Sequence, residues 1–276
     1  VLPAFLPLFM QSDLFMSRAV EISVGSLSPT INWKTLAAQS FLLPPLSLQA
    51  DLVGAIGAYD IAIEEYANAT KRSRALVDSL REHHFALESP PLTLGDLLSD
   101  IQAGKSLMGK NDPPSPTEKA VLKVSAVGAD RFMPSESKVL LDQDQFLSGH
   151  AVRNGDVLIT RANTPDLVGM VCLVEQDHPN LMLCDKTLRL VPREGVRRLL
   201  LAESLKTRAS RQYLSANATG TGGAMKNISQ AKIRSMPVGY PRDAASIGAE
   251  ERLRSAIAGC RAIEARLLSL RSLRKL

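Results

Sequence analysis

The chain has 276 residues, of which 45% are hydrophobic and 22% charged, a composition ordinary for a soluble globular protein with one large or two modest domains. Its three cysteines, Cys172, Cys184 and Cys260, are odd in number and lack C-x-x-C spacing, which argues against a disulfide framework or zinc site and favours a reducing compartment. The apolar opening VLPAFLPLFM lacks a basic leader and is far shorter than the roughly 20 residues of a membrane span. Since no Met precedes it, we expect a fragment or a chain trimmed at its front.

Positive charge is concentrated towards the C-terminus. The net charge is +5, but residues 197 to 276 contain 16 Lys or Arg against 5 Asp or Glu. A basic surface favours anionic partners, because each neutralised phosphate releases condensed counterions. A solvated helical face would produce the same pattern, so the charge alone does not separate the two interpretations.

The first 45 residues are predicted to hold short helices and a loop. A helical run ends near Ala19, a Gly/Ser loop follows, and a short helix begins at Asn32, whose side chain suits the N-cap position. Pro44 and Pro45 then end that helix and extend the chain.

A long helix is predicted from about residue 46 to residue 87. About 36 helical residues would span ~54 Å at ~1.5 Å per residue, more than a small domain needs for its own core. Thr70 and Ser73 weaken the seam at its middle, so a partner helix is expected. The 4-3 spacing that indicates packing along another helix is formed by Leu52, Ile56, Tyr59, Ile63, Tyr66, Thr70, Ser73, Val77, Leu80 and His84.

The part from about residue 90 to residue 241 is predicted to be a mixed α/β globule. Short β-rich stretches, separated by Gly, Pro, Asn and Asp turns, lie at residues 120–127, 157–160, 168–174 and 187–191. A helix is expected from about Val196 to Ala216. After a Gly/Thr loop, Asn227 and Gln230 have the spacing of a capping box, which predicts a short helix that begins at Asn227.

The last part, residues 243 to 276, is predicted to be a second long helix. The simplest way to bury its seam is against the first long helix, or against equivalent helices elsewhere. Ile257, Leu268 and Leu273 broaden its apolar face. The heptad positions are Leu253, Ala256, Cys260, Ile263, Leu267, Leu270 and Arg274.

Two segments of the chain are similar to each other. They are EISVGSLSPTINWKTLAAQSFLLPP, residues 21 to 45, and ATGTGGAMKNISQAKIRSMPVGYP, residues 218 to 241. A shift of 195 positions places Gly25 on Gly220 and Asn32 on Asn227. Each segment is a Gly-containing loop followed by a predicted short helix.

The order of these parts is informative. A Gly-rich loop that closes a globular module, an Asn-capped short helix and a long heptad helix follow one another, and the order occurs twice. The first copy also has a PPL-x-x-Q element at Pro44, Pro45, Leu46 and Gln49, which the second copy, SMPVGYPRDAASIGAEERL, lacks. In this layout nearly the whole chain resembles the specificity subunit of type I restriction-modification systems.

The resemblance implies an α+β fold, in which a mixed α/β target-recognition domain is flanked by two long helices that form an antiparallel coiled coil. It implies four parts: the end of a first target-recognition domain (1–45), a central spacer helix (46–88), a second target-recognition domain (89–241) and a distal coiled-coil helix (242–276).

The resemblance also implies a function without catalysis, in the cytoplasm of a prokaryote. Each recognition domain would read one half of a split double-stranded DNA target, and the coiled coil would hold the two readers apart. The subunit would dock methyltransferase (modification) subunits and, through them, restriction subunits. S-adenosylmethionine and ATP are expected only in those partners, and no membrane association is expected. A natural half-subunit would self-associate to rebuild a molecule with two readers.

Polar and basic residues of the second recognition domain are the candidates for DNA contact. Arg161 and Asn163 stand out, because Arg pairs bidentately with guanine and Asn with adenine. Lys226 and the backbone amides of the glycine loop are candidates for holding phosphate. Each is equally an ordinary loop residue, and Asn227 is better explained as a helix cap. The full set of candidates is Lys105, Lys110, Arg131, Arg161, Asn163, Thr221, Gly222, Gly223 and Lys226.

The sequence contains no recognisable catalytic motif. The glycine loop matches neither a P-loop nor a G-x-G-x-x-G fingerprint. The segment NDPPS at residues 111–115 has the prolines of the methyltransferase target-binding tetrapeptide but not its aromatic residue. His83 and His84 are best explained as helix surface. With 4% aromatic residues, a base-stacking platform for single strands is not indicated.

Two hypotheses therefore stay open. The chain is either a sequence-specific duplex-DNA-binding subunit, or a structural protein whose coiled coil is the functional surface and whose globule binds a protein partner. Affinity for duplex DNA that falls steeply with salt would favour the first.

Overall fold

The computed structural model describes residues 1–220 and 225–274. Its helices are α1 (Leu6–Met10), α2 (Asp13–Glu21), α3 (Trp33–Ala37), α4 (Leu46–His84), α5 (Leu94–Leu97), α6 (Arg198–Ser204), α7 (Arg208–Asn217), α8 (Gln230–Arg234) and α9 (Asp243–Leu273). Its strands are β1 (Leu92–Thr93), β2 (Leu98–Ala103), β3 (Gly109–Lys110), β4 (Ala120–Leu122), β5 (Ser137–Leu140), β6 (Ala151–Val152), β7 (Val157–Thr160), β8 (Ala162–Asn163), β9 (Val171–Leu173), β10 (His178–Met182), β11 (Thr187–Pro192), β12 (Lys226–Asn227) and β13 (Pro237–Val238). The chain divides into two compact units, unit 1 (residues 1–72 and 260–276) and unit 2 (residues 73–259).

An aromatic cluster holds the short helices of unit 1 together. The Phe9 ring packs edge-on against the rings of Phe15 and Phe41, at centroid distances of 5.5 and 5.0 Å, and stacks with Phe5 at 6.4 Å. Such aromatic pairs add roughly 0.5–1.5 kcal/mol each beyond the area they bury. α1, α2 and the segment before α4 thereby share one small core.

The PPL-x-x-Q element forms the start of α4. Gln49 is 3% exposed, and its Nε2 donates to the Pro44 carbonyl at 2.8 Å. Its Oε1 accepts from the Leu2 N–H at 2.9 Å. Prolines are tolerated at a helix start because the first N–H groups have no partner within the helix. One buried amide therefore fixes the first turn of α4 to the segments that precede it.

The predicted seam is covered along α9 but only in part along α4. All the predicted seam positions of α9 are buried or half-buried; on α4, Val77 is buried but Leu52 and Tyr59 are 37% and 39% exposed. Leu268 and Leu273 are exposed, so the prediction that they broaden the apolar face of α9 was wrong.

Two polar contacts give the direction of this pairing. In unit 1, Arg274 Nε donates to Asp60 Oδ1 at 2.7 Å, and in unit 2, Arg252 Nε donates to His84 Nε2 at 3.3 Å. Residue numbers therefore rise along α4 as they fall along α9. The predicted α+β fold with an antiparallel helix pair is confirmed.

By length and composition, α4 is the one helix of the described residues that is apolar enough to cross a membrane. A single helix of this kind is weak evidence for a membrane span. The ion pair between Asp60 and Arg274 shows that α4 lies along α9. A helix that packs along a second helix needs an apolar face, which is another reason for the apolar content of α4.

A four-stranded antiparallel sheet, in the order β2-β11-β7-β9, forms the centre of unit 2. Ile159 on β7 and Leu188 on β11 pack with Leu201, Leu205 and Leu214 of the α6–α7 region, and all five side chains are fully buried. Apolar groups of this size stabilise by roughly 1.5–3 kcal/mol each when fully buried. The end of this sheet is therefore a rigid support for the segments that leave its strands.

A second sheet, in the order β3-β5-β4-β10-β6, packs against the first through β7. Leu158 lies in the same cluster as Leu122 of β4 and Leu181 of β10, whereas the next residue, Ile159, faces the helices. This alternation is what a strand buried on both faces requires. Only β4 and β10 pair in parallel among the pairings of this sheet in the described residues.

The helix predicted from Val196 to Ala216 is two helices, α6 and α7. Thr207 interrupts it as an N-cap, because its Oγ1 accepts from the Ser210 N–H at 3.2 Å. Ser210 Oγ in turn donates to the Ser204 carbonyl at 2.8 Å. Hydroxyl side chains that bond to nearby backbone compete with a continuous helix, which is the physical reason for the break.

The two similar segments fold alike, but their register differs from the predicted one. Val24 forms an isolated bridge with Thr30, and Thr219 forms one with Asn227. The loop between the bridged residues is thus two residues longer in the second segment, so the shift becomes 197 after it. Asn32 caps α3 and Ser229 caps α8, and these two positions are also 197 apart.

The prediction that Asn227 caps a helix was therefore wrong. Ser229 Oγ accepts from the Lys232 N–H at 3.2 Å and performs that role, while Asn227 lies on β12. The Asn227 N–H and carbonyl are both engaged with Thr219, at 2.7 and 2.8 Å, and this extended pairing excludes the helical start. The Asn32 cap was predicted correctly, with Oδ1 accepting from the Lys34 N–H at 2.9 Å.

Candidate nucleic-acid interface

A two-stranded antiparallel ribbon, formed by β8 and β12, lies where β7 ends. Asn163 pairs with Lys226 and Ala162 with Asn227. The chain reaches the ribbon directly from β7 through Arg161, whose carbonyl accepts from the Ile228 N–H at 2.9 Å. Three of the predicted site residues, Arg161, Asn163 and Lys226, are thereby brought together from segments more than 60 positions apart.

The ribbon is anchored in the core by its small and apolar residues. Ala162 is 1% exposed and Ile228 is 0% exposed, and Ile228 belongs to the main buried cluster of unit 2. Asn163, Lys226 and Arg161 are half-buried, and Asn227 is exposed. The polar side chains therefore project from a backbone that the core holds in place.

The loop that follows β8 is held by two side chains. Thr160 Oγ1 donates to the Leu167 carbonyl at 2.9 Å. The Arg211 guanidinium of α7 donates to the carbonyls of Val168 and Gly169 at 3.0 and 2.7 Å, and its burial lowers its pKa. A guanidinium with several carbonyl acceptors fixes a loop more firmly than one hydrogen bond does. The ribbon is therefore preorganised on one side by α7.

The donors and acceptors of the ribbon suit base edges and phosphates. Within the described ranges, no carboxylate forms an ion pair with Arg161. Asn163 Oδ1 accepts from the Thr164 N–H at 2.8 Å and keeps a second lone pair, beside the two donors of Nδ2. Among the described residues, Lys226 Nζ makes one long contact of 3.5 Å, with the Gly220 carbonyl. The Arg161 guanidinium, the Asn163 amide and the Lys226 ammonium are thus available side by side.

Lys105 lies at the same end of the four-stranded sheet. β2 ends at Ala103, opposite Leu188, and β7 ends at Thr160, opposite Thr187. Because β2 and β7 both pair antiparallel with β11, their last residues meet at one end of the sheet. Lys105 is exposed there, two residues after β2.

The other predicted residues are not brought to the ribbon. Lys110 is exposed on β3, at the edge of the second sheet, opposite Val139. Arg131 is exposed in a turn next to Asp130, which lies 3.6 Å from the Arg81 guanidinium at the end of α4. Thr221, Gly222 and Gly223 lie outside the described residues. The roles of all the candidates stay predictions.

Sequence analysis did not single out Lys186, which the fold places beside Arg161. The Arg161 N–H donates to the Lys186 carbonyl at 2.9 Å. A signal was present: Arg161 directly follows one predicted strand and Lys186 directly precedes another. What the sequence lacked was the information that β7 and β11 are antiparallel neighbours, which brings those two ends together.

The cysteine and histidine side chains were compared with the requirements of a metal site and of a reactive thiol. No group of three His, Cys, Asp or Glu side chains in the described residues could hold a metal ion. Burial raises the pKa of the Cys172 thiol to about 12, so it stays protonated at neutral pH. The His83 and His84 rings contact each other edge-on, 4.9 Å apart, on α4.

Comparison with known proteins supports the resemblance inferred from the sequence. No family model matches the chain. The type I restriction enzyme EcoEI specificity subunit of Escherichia coli is 29% identical over 179 residues, which are 64% of this chain and 30% of that protein. The chain therefore spans about a third of the length of this curated relative.

A solved structure gives the same assignment for the fold. The S subunit of a type I restriction-modification system from M. genitalium aligns with a TM-score of 0.59 and 13% identity, over 94% of this chain and 67% of that one. The HsdS subunit from Thermoanaerobacter tengcongensis aligns over 98% of this chain and 64% of that one, at 20% identity, but its TM-score of 0.46 is too low to add weight. The fold is that of a type I specificity subunit. The sequence similarity to the EcoEI specificity subunit agrees with this fold, so the predicted resemblance is confirmed.

Proposed function

We propose that this chain is a non-catalytic, sequence-specific double-stranded DNA-binding specificity subunit of a type I restriction-modification complex. It reads one half of a bipartite target and docks methyltransferase subunits. The observation that carries the proposal is the ribbon, which places Arg161, Asn163 and Lys226 together on a backbone anchored at the end of a buried sheet.

The three side chains have different roles in DNA recognition. Arg161 offers two parallel donors, which match the O6 and N7 acceptors of guanine, and Asn163 offers a donor and an acceptor, which match adenine. Lys226 supplies a point charge for a phosphate. Base contacts specify the sequence, whereas phosphate contacts set position along the duplex, so substitutions of these residues have different consequences.

The paired helices serve as the spacer and the docking surface. α4 has 39 residues and bears exposed apolar side chains in unit 1, including Leu48 (47% exposed) and Ile61 (66% exposed). Exposed apolar groups that cluster on one element favour a protein partner. In this account that partner is the methyltransferase subunit, through which the restriction subunits join. Self-association follows if the chain works as a half-subunit.

The chemistry of the complex is assigned to its partners. S-adenosylmethionine would be bound by the methyltransferase subunits and ATP by the restriction subunits, in the cytoplasm of a prokaryote. This chain would contribute the choice of sequence and the spacing between the two target halves.

Selection from a pool of random duplexes tests the proposal. The chain, alone and assembled with methyltransferase subunits, is expected to enrich one short sequence from the pool. Comparing the methylomes of host strains with and without the intact subunit should give the same sequence as one half of a split methylation motif. Failure to enrich any duplex in either form would contradict the proposal and favour the interaction-protein alternative, in which the globule binds a protein.

A further inference from the structure

A small cavity lined with lysines lies next to the ribbon, in a place that sequence analysis did not single out. It has a volume of about 160 Å³ and is formed by the β4–β5 pair, the segment after β2 and the turn before β11. Its polar lining is Ser106, Lys123, Lys138, Asp185 and Lys186. All three lysines are half-buried.

Strand register explains why two of these lysines face the same space. Lys138 pairs with Val121, and Lys123 follows Val121 by two residues on a ladder that continues through its N–H, which donates to the Glu136 carbonyl at 3.0 Å. Side chains two residues apart on a strand share a face, so Lys123 and Lys138 are diagonal neighbours, with Cβ atoms roughly 7 Å apart. Two ammonium groups on one face of a ladder repel each other when they approach.

The carboxylates nearby do not neutralise this pair. Asp185 is half-exposed and lies 3.5 Å from Lys186 Nζ. Glu136, opposite Lys123 on the ladder, is engaged by Ser125, whose Oγ donates to Glu136 Oε2 at 2.6 Å. In the described part of the chain, neither Lys123 nor Lys138 forms an ion pair. The lining therefore has three ammonium groups and one carboxylate, an excess of two positive charges.

The floor of the cavity is apolar. Val121 and Leu122 are each 2% exposed, and Cys184 is 7% exposed with its Sγ hydrogen-bonded to Thr187 Oγ1 at 3.4 Å. A concave surface with low-dielectric walls focuses the field of its charges. Unpaired ammonium groups above such a floor favour an anion of small size.

One backbone hydrogen bond links the lining of the cavity to Arg161, the residue before the ribbon. The Lys186 carbonyl accepts from the Arg161 N–H at 2.9 Å, so the third lysine and the guanine-reading candidate are held by the same backbone contact. The cavity lining and Arg161 therefore meet where β7 ends and β11 begins.

We propose that this lysine cavity holds a backbone phosphate of the same duplex that the ribbon reads, and so sets the register of the ribbon on the DNA. The inference rests on the proposed function and deepens it. Ser106 would donate a hydroxyl hydrogen bond, and the lysines would supply charge without base preference. Neutralising a phosphate releases condensed counterions, which makes the contact sensitive to salt.

The test compares the full chain with the double variant Lys138→Gln/Lys186→Gln. Binding to the selected duplex and to an unrelated duplex is measured by fluorescence anisotropy at several salt concentrations. We expect affinity to fall by a similar factor, roughly tenfold, for both duplexes, and the slope of log K against log salt to become shallower by about one, because one phosphate contact is lost. Lys138→Arg/Lys186→Arg keeps both charges and should keep most of the slope, which separates charge from misfolding.

Arg254→Gln is the matched control for the loss of charge. Arg254 is 65% exposed and lines a separate cleft beside Asn154 and Gly155, which precede β7, whereas the ribbon follows β7. Its substitution should leave the slope unchanged. An unchanged slope in the double lysine variant, with binding intact in the parent, would overturn the inference while leaving the proposed function standing. No binding by the parent would overturn the proposed function itself.

A free anion is the other source of the same chemistry. Inorganic phosphate is titrated at constant ionic strength while the lysine side-chain NMR signals are followed. Saturable binding of phosphate together with unaltered DNA affinity in the double variant would assign the cavity to a free anion and overturn the inference. Weak phosphate binding that competes with duplex binding supports it.

Discussion

Arg81 and Glu203 form a buried ion pair, with 2.7 Å between Arg81 Nη2 and Glu203 Oε2 and side chains 10% and 3% exposed. Burial alone would lower the pKa of Arg81, but Glu203, Asp78 and Asp130 more than offset it, and the pKa is raised. Glu203 also accepts from Lys206 Nζ at 2.7 Å. The last turns of α4 are thereby fastened to α6, which packs on the central sheet of unit 2.

Breaking this pair from one side should destabilise unit 2 strongly. Glu203→Gln leaves a buried guanidinium without its main partner, and we expect a loss of roughly 3–5 kcal/mol in the free energy of unfolding. Arg254→Gln removes a guanidinium that is 65% exposed and leaves Glu250 paired with Arg197, so it should cost less than about 1 kcal/mol. Denaturant unfolding followed by circular dichroism measures both, and equal losses would contradict the assigned role of the buried pair.

The pH dependence of stability should depend on His84. Burial, then the charges of Arg252 and His83, lower its pKa below the ordinary value of 6.5, because they disfavour the imidazolium. The folded chain then binds fewer protons than the unfolded chain, so this stability is fully present above pH 6.5 and is lost as pH falls towards the folded-state pKa. His178, whose pKa burial also lowers, acts in the same direction.

His84→Gln should therefore reduce, without abolishing, the decline of the unfolding midpoint as pH falls below 6.5. Thermal melts in a series of buffers of equal ionic strength provide the measurement. A variant whose midpoint declines as steeply as that of the parent would show that His84 does not carry this effect.

Gly169 should tolerate no side chain. It has φ +74°, and a Cβ there would lie 2.8 Å from Leu214 Cδ1, a fully buried side chain. Gly169→Ala should cost more than about 1 kcal/mol of stability and loosen the loop beside the ribbon. Gly259→Ala is the control, because that helical glycine has open space around it; it should stabilise by about 0.5–1 kcal/mol. The measurement is the free energy of unfolding of each variant. If both substitutions stabilised the chain, or both destabilised it, this account would be contradicted.

Arg161 and Lys226 should differ in what they contribute to DNA binding. Arg161→Ala should weaken binding to the selected duplex by a factor that corresponds to roughly 1–3 kcal/mol, and should spare unrelated duplexes. Lys226→Ala should lower affinity evenly and make the salt slope shallower by about one. Competition assays with both duplexes distinguish these outcomes. Equal losses for both duplexes in Arg161→Ala would show that Arg161 does not read the base sequence.

Much of the architecture could be predicted because it depends on local pattern. The heptad spacing located both long helices, Asn32 caps its helix as its side chain and position predict, and the predicted strand 157–160 coincides with β7. The error at Asn227 has a long-range cause. Asn227 and Ser229 are both good caps, and the choice between them was decided by pairing with Thr219, which a local pattern does not contain.

The candidate site was predicted in part for the same reason. Arg161, Asn163 and Lys226 could be chosen by residue type, and the ribbon brings them together. Lys123 and Lys138 could not, because their shared face depends on the strand order β3-β5-β4-β10-β6, and β5 was not predicted. Lys110 and Arg131 were chosen on the same grounds as Arg161, but the fold places them elsewhere.

The most direct test of the central claim is the affinity of the chain for duplex DNA between about 50 and 200 mM salt, measured alone and with methyltransferase subunits. A reader that makes several phosphate contacts should lose affinity steeply over this range, with log K falling linearly against log salt. If neither form of the protein bound any duplex at the lowest salt, the account would be contradicted.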